Sequence, residues 1–308
     1  MSRYKEKEII YWESFAEILS KQIRMKLFMG LTRNSLSLFT RGRDIISTGP
    51  VLDGVHEPAL TSLIRKYAQD GYSDFLIDIG ANIGLTSCQN GDSFREVHMY
   101  EPNWMCCNIL EVNSKIAITS SEFEIHKYGL GKENKACTLT IPRHNWGGGF
   151  IKDAGNSYSD KVLAAKDNFT SLDSNNYFQV NIEIKEATDE LRVLFQKLST
   201  KKLNRGLIKI DVEGYEGSVL DGIANSIPED MRAVIIFESW DKNLNIYKIV
   251  NTFQQKYSVK KINRKTPWDK NASKLKKLFE LAISHKFYTY IGNISDNDFS
   301  GDIVLEPK

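Results

Sequence analysis

One short stretch limits most strongly what this chain can fold into: Asp78-Ile79-Gly80-Ala81-Asn82-Ile83-Gly84, directly behind the apolar run Phe75–Ile79 and directly ahead of residues with helical spacing. Glycines where a strand turns into a helix let the backbone approach a ligand closely, and a helix N-terminus offers N–H groups to an anion. Such a unit belongs in a parallel sheet, and the rest of the chain keeps the same rhythm. Apolar runs at residues 97–100, 123–128, 207–210, 234–237, 287–291 and 303–306 alternate with helical stretches. Strands buried on both faces read this way, so a doubly wound α/β fold is expected.

The glycine spacing narrows the ligand. A dinucleotide turn needs G-x-G-x-x-G so that a pyrophosphate can lie on it, whereas Gly80 and Gly84 form G-x-x-x-G. Asp78 at the strand end would repel a pyrophosphate but suits the amino group or sulfonium of S-adenosylmethionine. The next strand ends in Glu101-Pro102-Asn103, an acid about 20 residues past the turn, where a carboxylate would grip ribose hydroxyls. The third strand runs into Gly129-Leu130-Gly131, which offers a backbone amide and apolar contacts to adenine. The fourth delivers Lys209-Ile210-Asp211-Val212-Glu213-Gly214-Tyr215-Glu216, placing three acids at the carboxyl end of a parallel strand, where open α/β sheets bind ligands.

Flanking segments are read by the same periodicities. Residues 8–29 carry Ile10, Trp12, Phe15, Leu19 and Ile23 at helical spacing, an amphipathic helix or helix pair suited to packing on the main domain, to membrane-surface or partner docking, or to oligomer formation. Residues 35–47 alternate around Arg41-Gly42-Arg43 as a hairpin. Pro58–Gln69 reads as a helix with Pro in its first turn and Gly71 ending it in a left-handed conformation. Residues 145–179, with Gly147-Gly148-Gly149 and many Asn and Ser, read as loops and an insertion that carry specificity. Residues 260–277 are basic and then helical, a solvated face rather than a nucleic-acid patch.

Composition closes off other classes. The chain has 308 residues, with 41 basic against 39 acidic side chains and a net charge of +2. That balance implies no phosphate-backbone binder, and acids at the fourth strand, in place of an Asn/Asp-Pro-Pro-aromatic motif, argue locally against a nucleic-acid substrate. Cys88, Cys106, Cys107 and Cys137 lack zinc-finger spacing and read as reduced thiols. The start is charged and no apolar run is long enough to span a membrane, so a cytoplasmic location is expected.

Taken together, these motifs resemble the FkbM family of S-adenosylmethionine-dependent methyltransferases, on Asp78 to Gly84, Glu101-Pro102-Asn103, Gly129-Leu130-Gly131, Lys209 through Glu216, Gly217-Ser218-Val219-Leu220-Asp221-Gly222 and Phe237-Glu238. The resemblance covers residues 57–240. It implies a class I, Rossmann-like methyltransferase with a seven-stranded, mostly parallel sheet of order 3-2-1-4-5-7-6, the last strand antiparallel. Residues 57–308 would form that domain, with an insertion near 145–184, and residues 1–56 an extension of helix and hairpin. It also implies O-methyl transfer to a hydroxyl, with Glu57, Asp78, Gly80, Asn82, Gly84, Glu101, Pro102, Asn103, Gly129 and Leu130 at the cofactor.

Methyl transfer is an in-line displacement, in which alignment is worth up to roughly 7–11 kcal/mol and a positioned base adds ~10²–10⁴-fold. Asp211 is the first choice for that base, with Glu213, Glu238 and the loop-borne His144 as alternatives. A divalent cation could share these groups, but no ligand spacing marks one. The expected acceptor is a carbohydrate hydroxyl on a surface glycan or its precursor. A small secondary metabolite, or a non-catalytic scaffold subunit of the same fold, is the alternative.

Overall fold

A computed structural model describes residues 14–42, 44–153, 173–239, 250–265, 272–283, 288–294 and 301–308. Its centre is β1 (Phe75–Ile79), buried at every position. Parallel to it run β2 (Glu96–Tyr100) and then β3 (Glu122–His126) on one side, with β8 (Arg205–Ile210) and β9 (Arg232–Ser239) on the other. Beyond β9 lie β12 (Gly301–Pro307), β10 (Tyr257–Lys265) and β11 (Tyr288–Asn293), each antiparallel to its neighbour. The order is β11-β10-β12-β9-β8-β1-β2-β3.

The sheet therefore has eight strands rather than the expected seven. Tyr288–Asn293 does form a strand, but at the edge, because β10 takes the place beside β12. β10 reads Tyr-Ser-Val-Lys-Lys-Ile-Asn-Arg-Lys and is mostly half-buried, so it lacks the apolar run of a central strand. Lys260 of β10 instead pairs with Glu306 of β12.

Alternate residues of the sheet serve two layers of helix. Leu76, Val97, Met99, Leu207 and Val234 pack with Leu60, Ile64 and Tyr67 of α3 (Pro58–Gln69) and Leu110 of α5 (Trp104–Ala117). Ile77, Ile79, Ile208, Ile210 and Phe237 pack with Leu191, Phe195 and Leu198 of α6 (Ala187–Thr200) and Val219, Leu220 and Ile223 of α7 (Glu216–Ser226). The end of α3 is as its sequence predicts, with Gly71 at φ +92°.

Two expectations fail outside this frame. Residues 145–179 are not loops throughout: β6 (Phe150–Ile151) and β7 (Tyr177–Glu186) join β4 (Gly129–Gly131) and β5 (Lys135–Pro142) in a second sheet of order β4-β7-β5-β6. β7 pairs with β5 from Lys135↔Ile184 to Pro142↔Tyr177. Nor do the described residues of 35–47 form a hairpin; they lead into a 3-10 turn at Ile45–Ser47 and the short helix α2 (Thr48–Leu52). The backbone of Phe39 spends its hydrogen bonds on a side chain rather than a strand: its N–H donates to Asn113 Oδ1 (2.7 Å), and its carbonyl accepts from Asn113 Nδ2 (3.0 Å).

Helix α1 (Phe15–Leu31) opens with a capping box between Ser14 and Glu17 and has no buried residue. Ile10 and Trp12 of the expected helix lie outside the described residues. No described helix is long and apolar enough to cross a membrane. The four cysteines are free, three of them buried.

Fully buried Asn113 also donates to the Ile83 carbonyl at 2.8 Å, so it ties the 35–44 segment to the glycine turn. Asn113→Ala leaves those backbone groups without partners and is expected to cost about 1–3 kcal/mol in urea unfolding. Limited proteolysis should then cut near Phe39 sooner than in the parent.

Candidate active site

Two cavities open at the carboxyl ends of the parallel strands. The first, about 660 Å³, is walled by Tyr100 at the end of β2, Glu101 and Pro102 after it, Gly129 and Leu130 of β4, and Phe150 and Ile151 of β6. The second, about 720 Å³, is lined by His56, Glu57, Thr86, Asn145, Lys209 and Glu238 among others. Gly80, Asn82, Gly147, Asp211 and Glu213 border both. The second sheet thus supplies a wall of the first cavity, and an isolated bridge between Phe150 and Glu213 fastens it to the loop after β8.

Glu101 is held by the backbone. Its Oε2 accepts from Asn82 N–H (2.8 Å) and its Oε1 from Asn103 N–H (2.7 Å). Burial pushes its carboxyl up to about 7, against the pull of those two amides. The amides that a bound anion would need are already used: the N–H groups of Gly80 and Ala81 both donate to the Tyr100 carbonyl, at 2.9 and 3.0 Å. The anion seat expected at this turn is therefore absent at Gly80, Ala81 and Asn82, and α4 (Leu85–Asn90) behind it has only six residues. Gly80 has another reason to be glycine. At φ +87° a Cβ there would stand 1.9 Å from the Asp211 carbonyl oxygen, so the residue lets β1 and β8 converge.

The second cavity concentrates acid. Glu57 adopts φ 44°, ψ 67° directly before Pro58, a position where the left-handed region is disfavoured and the strain is worth on the order of 1–3 kcal/mol. Burial, with Asp211, Asp302, Glu213 and Glu57 nearby, raises Glu238 to about 8. Its cross-strand neighbour Asp302 rises to about 6, through burial and then Glu57 and Asp211. Burial holds His56 below the usual imidazole range.

Residues 78–257 match the family model described as the methyltransferase FkbM domain. The chain belongs to that family. A curated relative, methyltransferase sdnD of Sordaria araneosa, is 26% identical over 173 residues, which are 54% of this chain and 66% of the relative, so the chain spans just under two thirds of that protein. Among solved structures, an O-methyltransferase from Bacillus cereus in complex with SAH is similar at 10% identity and a TM-score of 0.40, over 98% of this chain and 94% of that one. TomG, an O-methyltransferase from Streptomyces achromogenes solved with SAM, is similar at 7% identity and a TM-score of 0.43, over 92% and 96%.

In this FkbM domain the residues singled out by sequence divide into two groups. Glu57, Gly80, Asn82, Glu101, Pro102, Gly129, Leu130, Asp211, Glu213 and Glu238 line one or both cavities. Asp78, Gly84, Asn103 and His144 line neither. Gly84 packs behind the turn, where a Cβ would meet Leu110 Cδ1 at 2.6 Å. Asn103 caps α5 through Met105 N–H (3.1 Å) while its own N–H holds Glu101, so it acts on the cavity through that acid. His144 is half-buried outside both linings, because the chain turns its neighbours Trp146 and Gly147 inward instead.

Asp78 is the larger correction. It is fully buried, accepting from Ser87 Oγ at 2.6 Å, with Lys209 Nζ 3.6 Å from its other oxygen. It lies outside both cavity linings, not at the exposed strand end that its sequence position suggests. The cation beside it is Lys209, which also contacts Asp211 at 3.0 Å and lines the second cavity. Burial would discharge that lysine, but Asp211, Asp78 and Glu57 outweigh it and hold the ammonium above its ordinary range. Lys209 carried a signal in the sequence, since a lone lysine inside the strand Arg-Gly-Leu-Ile-Lys-Ile must find a partner for its charge. Tyr100, Trp146, Phe150 and Tyr215 also line the first cavity, and nothing in their sequence spacing separates them from core aromatics.

Lys209→Met leaves Asp78 as a buried carboxylate without its cation and is expected to cost about 3–5 kcal/mol in chemical denaturation. Asp78→Asn added to that variant should recover part of the loss, since the two changes act on one pair.

Proposed function

We propose that this domain transfers the methyl group of S-adenosylmethionine to a hydroxyl, on a sugar of a surface glycan or its precursor. The placement of Glu101 carries the reading. An acid at the carboxyl end of β2, facing a cavity between Pro102, Gly129 and Leu130, suits the two hydroxyls of a ribose. Pro102, Leu130, Phe150 and Ile151 would hold the purine. Glu101, Asp211 and Glu213 give the cavity a sign that favours a cationic ligand and opposes a pyrophosphate.

When bound, S-adenosylmethionine supplies a methyl group already activated on a sulfonium. The chain then has to align an acceptor oxygen and take its proton. Asp211 and Glu213 border both cavities and so stand where an acceptor in the second would meet a donor in the first. Asp211, anchored by Lys209, orients the hydroxyl. Glu238 takes the proton, since a carboxyl raised to about 8 is a much stronger base near neutrality than an ordinary glutamate. The many carboxylate oxygens of the second cavity are acceptors suited to a polyhydroxylated sugar.

The first test is equilibrium titration with S-adenosylmethionine and S-adenosylhomocysteine, with NADH as control. Binding of the two adenosyl ligands alone is expected, and failure of both to bind would remove the reading. Glu101→Ala should weaken S-adenosylhomocysteine by about 1.5–3 kcal/mol, roughly 10- to 150-fold, with the fold intact by circular dichroism. Glycan hydroxyls form the starting acceptor panel, and methylation of none of them would count against the sugar.

A carboxylate base works only when deprotonated, so kcat/KM should rise with pH through about 8. Glu238→Gln should lower kcat by ~10²–10⁴-fold and abolish that rise. A variant with full rate and an unchanged pH profile would return the base role to Asp211.

A further inference from the structure

On the sheet face beneath α6, outside both cavities, β2 and β3 bring together His98, Glu124 and His126. One ligand atom from each lies within 4.8 Å of the others. His126 Nε2 stands 3.5 Å from His98 Nδ1, and Glu124 Oε2 stands 3.8 Å from the same nitrogen.

Hydrogen-bond accounting says what these atoms carry. His98 Nε2 lies 3.3 Å from Glu96 Oε2. Lys201 Nζ stands 2.5 Å from the other oxygen of Glu96, so Glu96 is an ion-paired carboxylate and can only accept. The proton of His98 therefore sits on Nε2, leaving a lone pair on Nδ1. The Tyr128 hydroxyl donates its single proton to Glu190 at 2.6 Å, so its 3.2 Å contact with His126 Nδ1 needs the proton on that nitrogen. That leaves a lone pair on Nε2. Two lone pairs and a carboxylate oxygen converge with no proton assigned between them.

We propose that His98 Nδ1, His126 Nε2 and Glu124 form a binding site for a divalent transition cation of the zinc class, separate from the methyl-transfer cavities. Tetrahedral zinc with ligand bonds of about 2.0–2.1 Å spaces its ligand atoms about 3.3–3.4 Å apart; His98 Nδ1 is within a few tenths of an ångström of that spacing from both His126 Nε2 and Glu124 Oε2, and the remaining pair lies inside 4.8 Å. Two neutral imidazoles and a carboxylate suit that cation, and a water fills the fourth position. Glu96 on His98 and Tyr128 on His126 are the outer partners that fix which ring nitrogen faces the metal. Lys197 Nζ, 2.7 Å from Glu124 Oε2, competes for the carboxylate, but its side chain is 47% exposed and can turn to solvent. The site joins the framework of the first cavity: Tyr100 stacks on His126 at 4.2 Å, and the His126 carbonyl accepts from Glu101 N–H at 3.0 Å. A metal here would brace the β2 and β3 ends from which Glu101 extends.

The test is calorimetric titration of tag-free, EDTA-treated full-length protein with Zn²⁺, together with the visible absorption of added Co²⁺. One Zn²⁺ per chain and a four-coordinate Co²⁺ spectrum are expected. His98→Gln and His126→Gln should each abolish that stoichiometric site while leaving circular dichroism unchanged. Should either fail to fold, the more exposed Glu124→Gln should weaken Zn²⁺ at least roughly tenfold, and Lys197→Met, which removes the competing cation, should tighten it. Absence of stoichiometric binding, or equal binding in the parent and both histidine variants, would overturn the site. Neither result depends on whether adenosyl ligands bind.

Discussion

The structure turns on one buried cation. Lys209 lies between Asp78 of β1 and Asp211 at the end of β8, so its ammonium joins the two central strands beneath the cavities. Taking such charges out of water is expensive, and attraction repays it only when each is closely matched. Asp78 is matched by Lys209 and Ser87, and Lys209 by two carboxylates with Glu57 near enough to add its field. Gly80 makes the approach of the two strand ends sterically feasible, since a side chain there would collide with the Asp211 carbonyl. The glycine turn and the lysine-acid motif, distant in sequence, are thus two halves of one junction. What they build first is the sheet, and only through it the site.

The central elements were legible because their burial is extreme. β1 and α3 fall on the residues their patterns predict, since a five-residue run buried on both faces and a proline-started amphipathic helix admit few other readings. β7 was legible too, in the strict alternation Phe178-Gln179-Val180-Asn181-Ile182-Glu183-Ile184, but the glycines, asparagines and serines before it drew it into an apparent insertion. β10 is harder. Its Lys260 finds Glu306, and a strand half-covered near a sheet edge leaves almost no hydrophobic period to read. The false hairpin at 35–47 shows the converse, since its alternation is real but its backbone partner is the side chain of Asn113, which no local pattern reveals.

In the site, spacing located residues at strand ends but not how deeply each is buried there. Asp78 and Asp211 both close central strands, yet Asp78 precedes the last residue of β1 and is buried, whereas Asp211 follows the last residue of β8 and borders both cavities. In register the two acids lie two residues apart and share a sheet face, so depth along the strand separates a buried ion pair from an acid that borders both cavities. His144 lines neither cavity for a different reason: a loop rich in glycine leaves its direction to tertiary contacts, and Arg41 stacks over its neighbour Trp146 at 4.4 Å.

The acids around the cavities carry an electrostatic load of their own. Glu101 near 7, Asp302 near 6 and Glu238 near 8 are each raised first by burial, with neighbouring carboxylates adding to it. A carboxyl whose folded value lies above its unfolded one is favourable to the fold when protonated, and that contribution is lost as pH rises through the folded value. Near neutrality these groups therefore oppose the stability of the ligand-free protein, while Lys209 compensates only the acids it reaches. Any cation entering between Glu101 and Asp211 would lower those values again and release protons. The crowding of acids around Glu238 thus keeps part of the cavity's carboxyls protonated near neutrality and ties their ionisation to the arrival of positive charge.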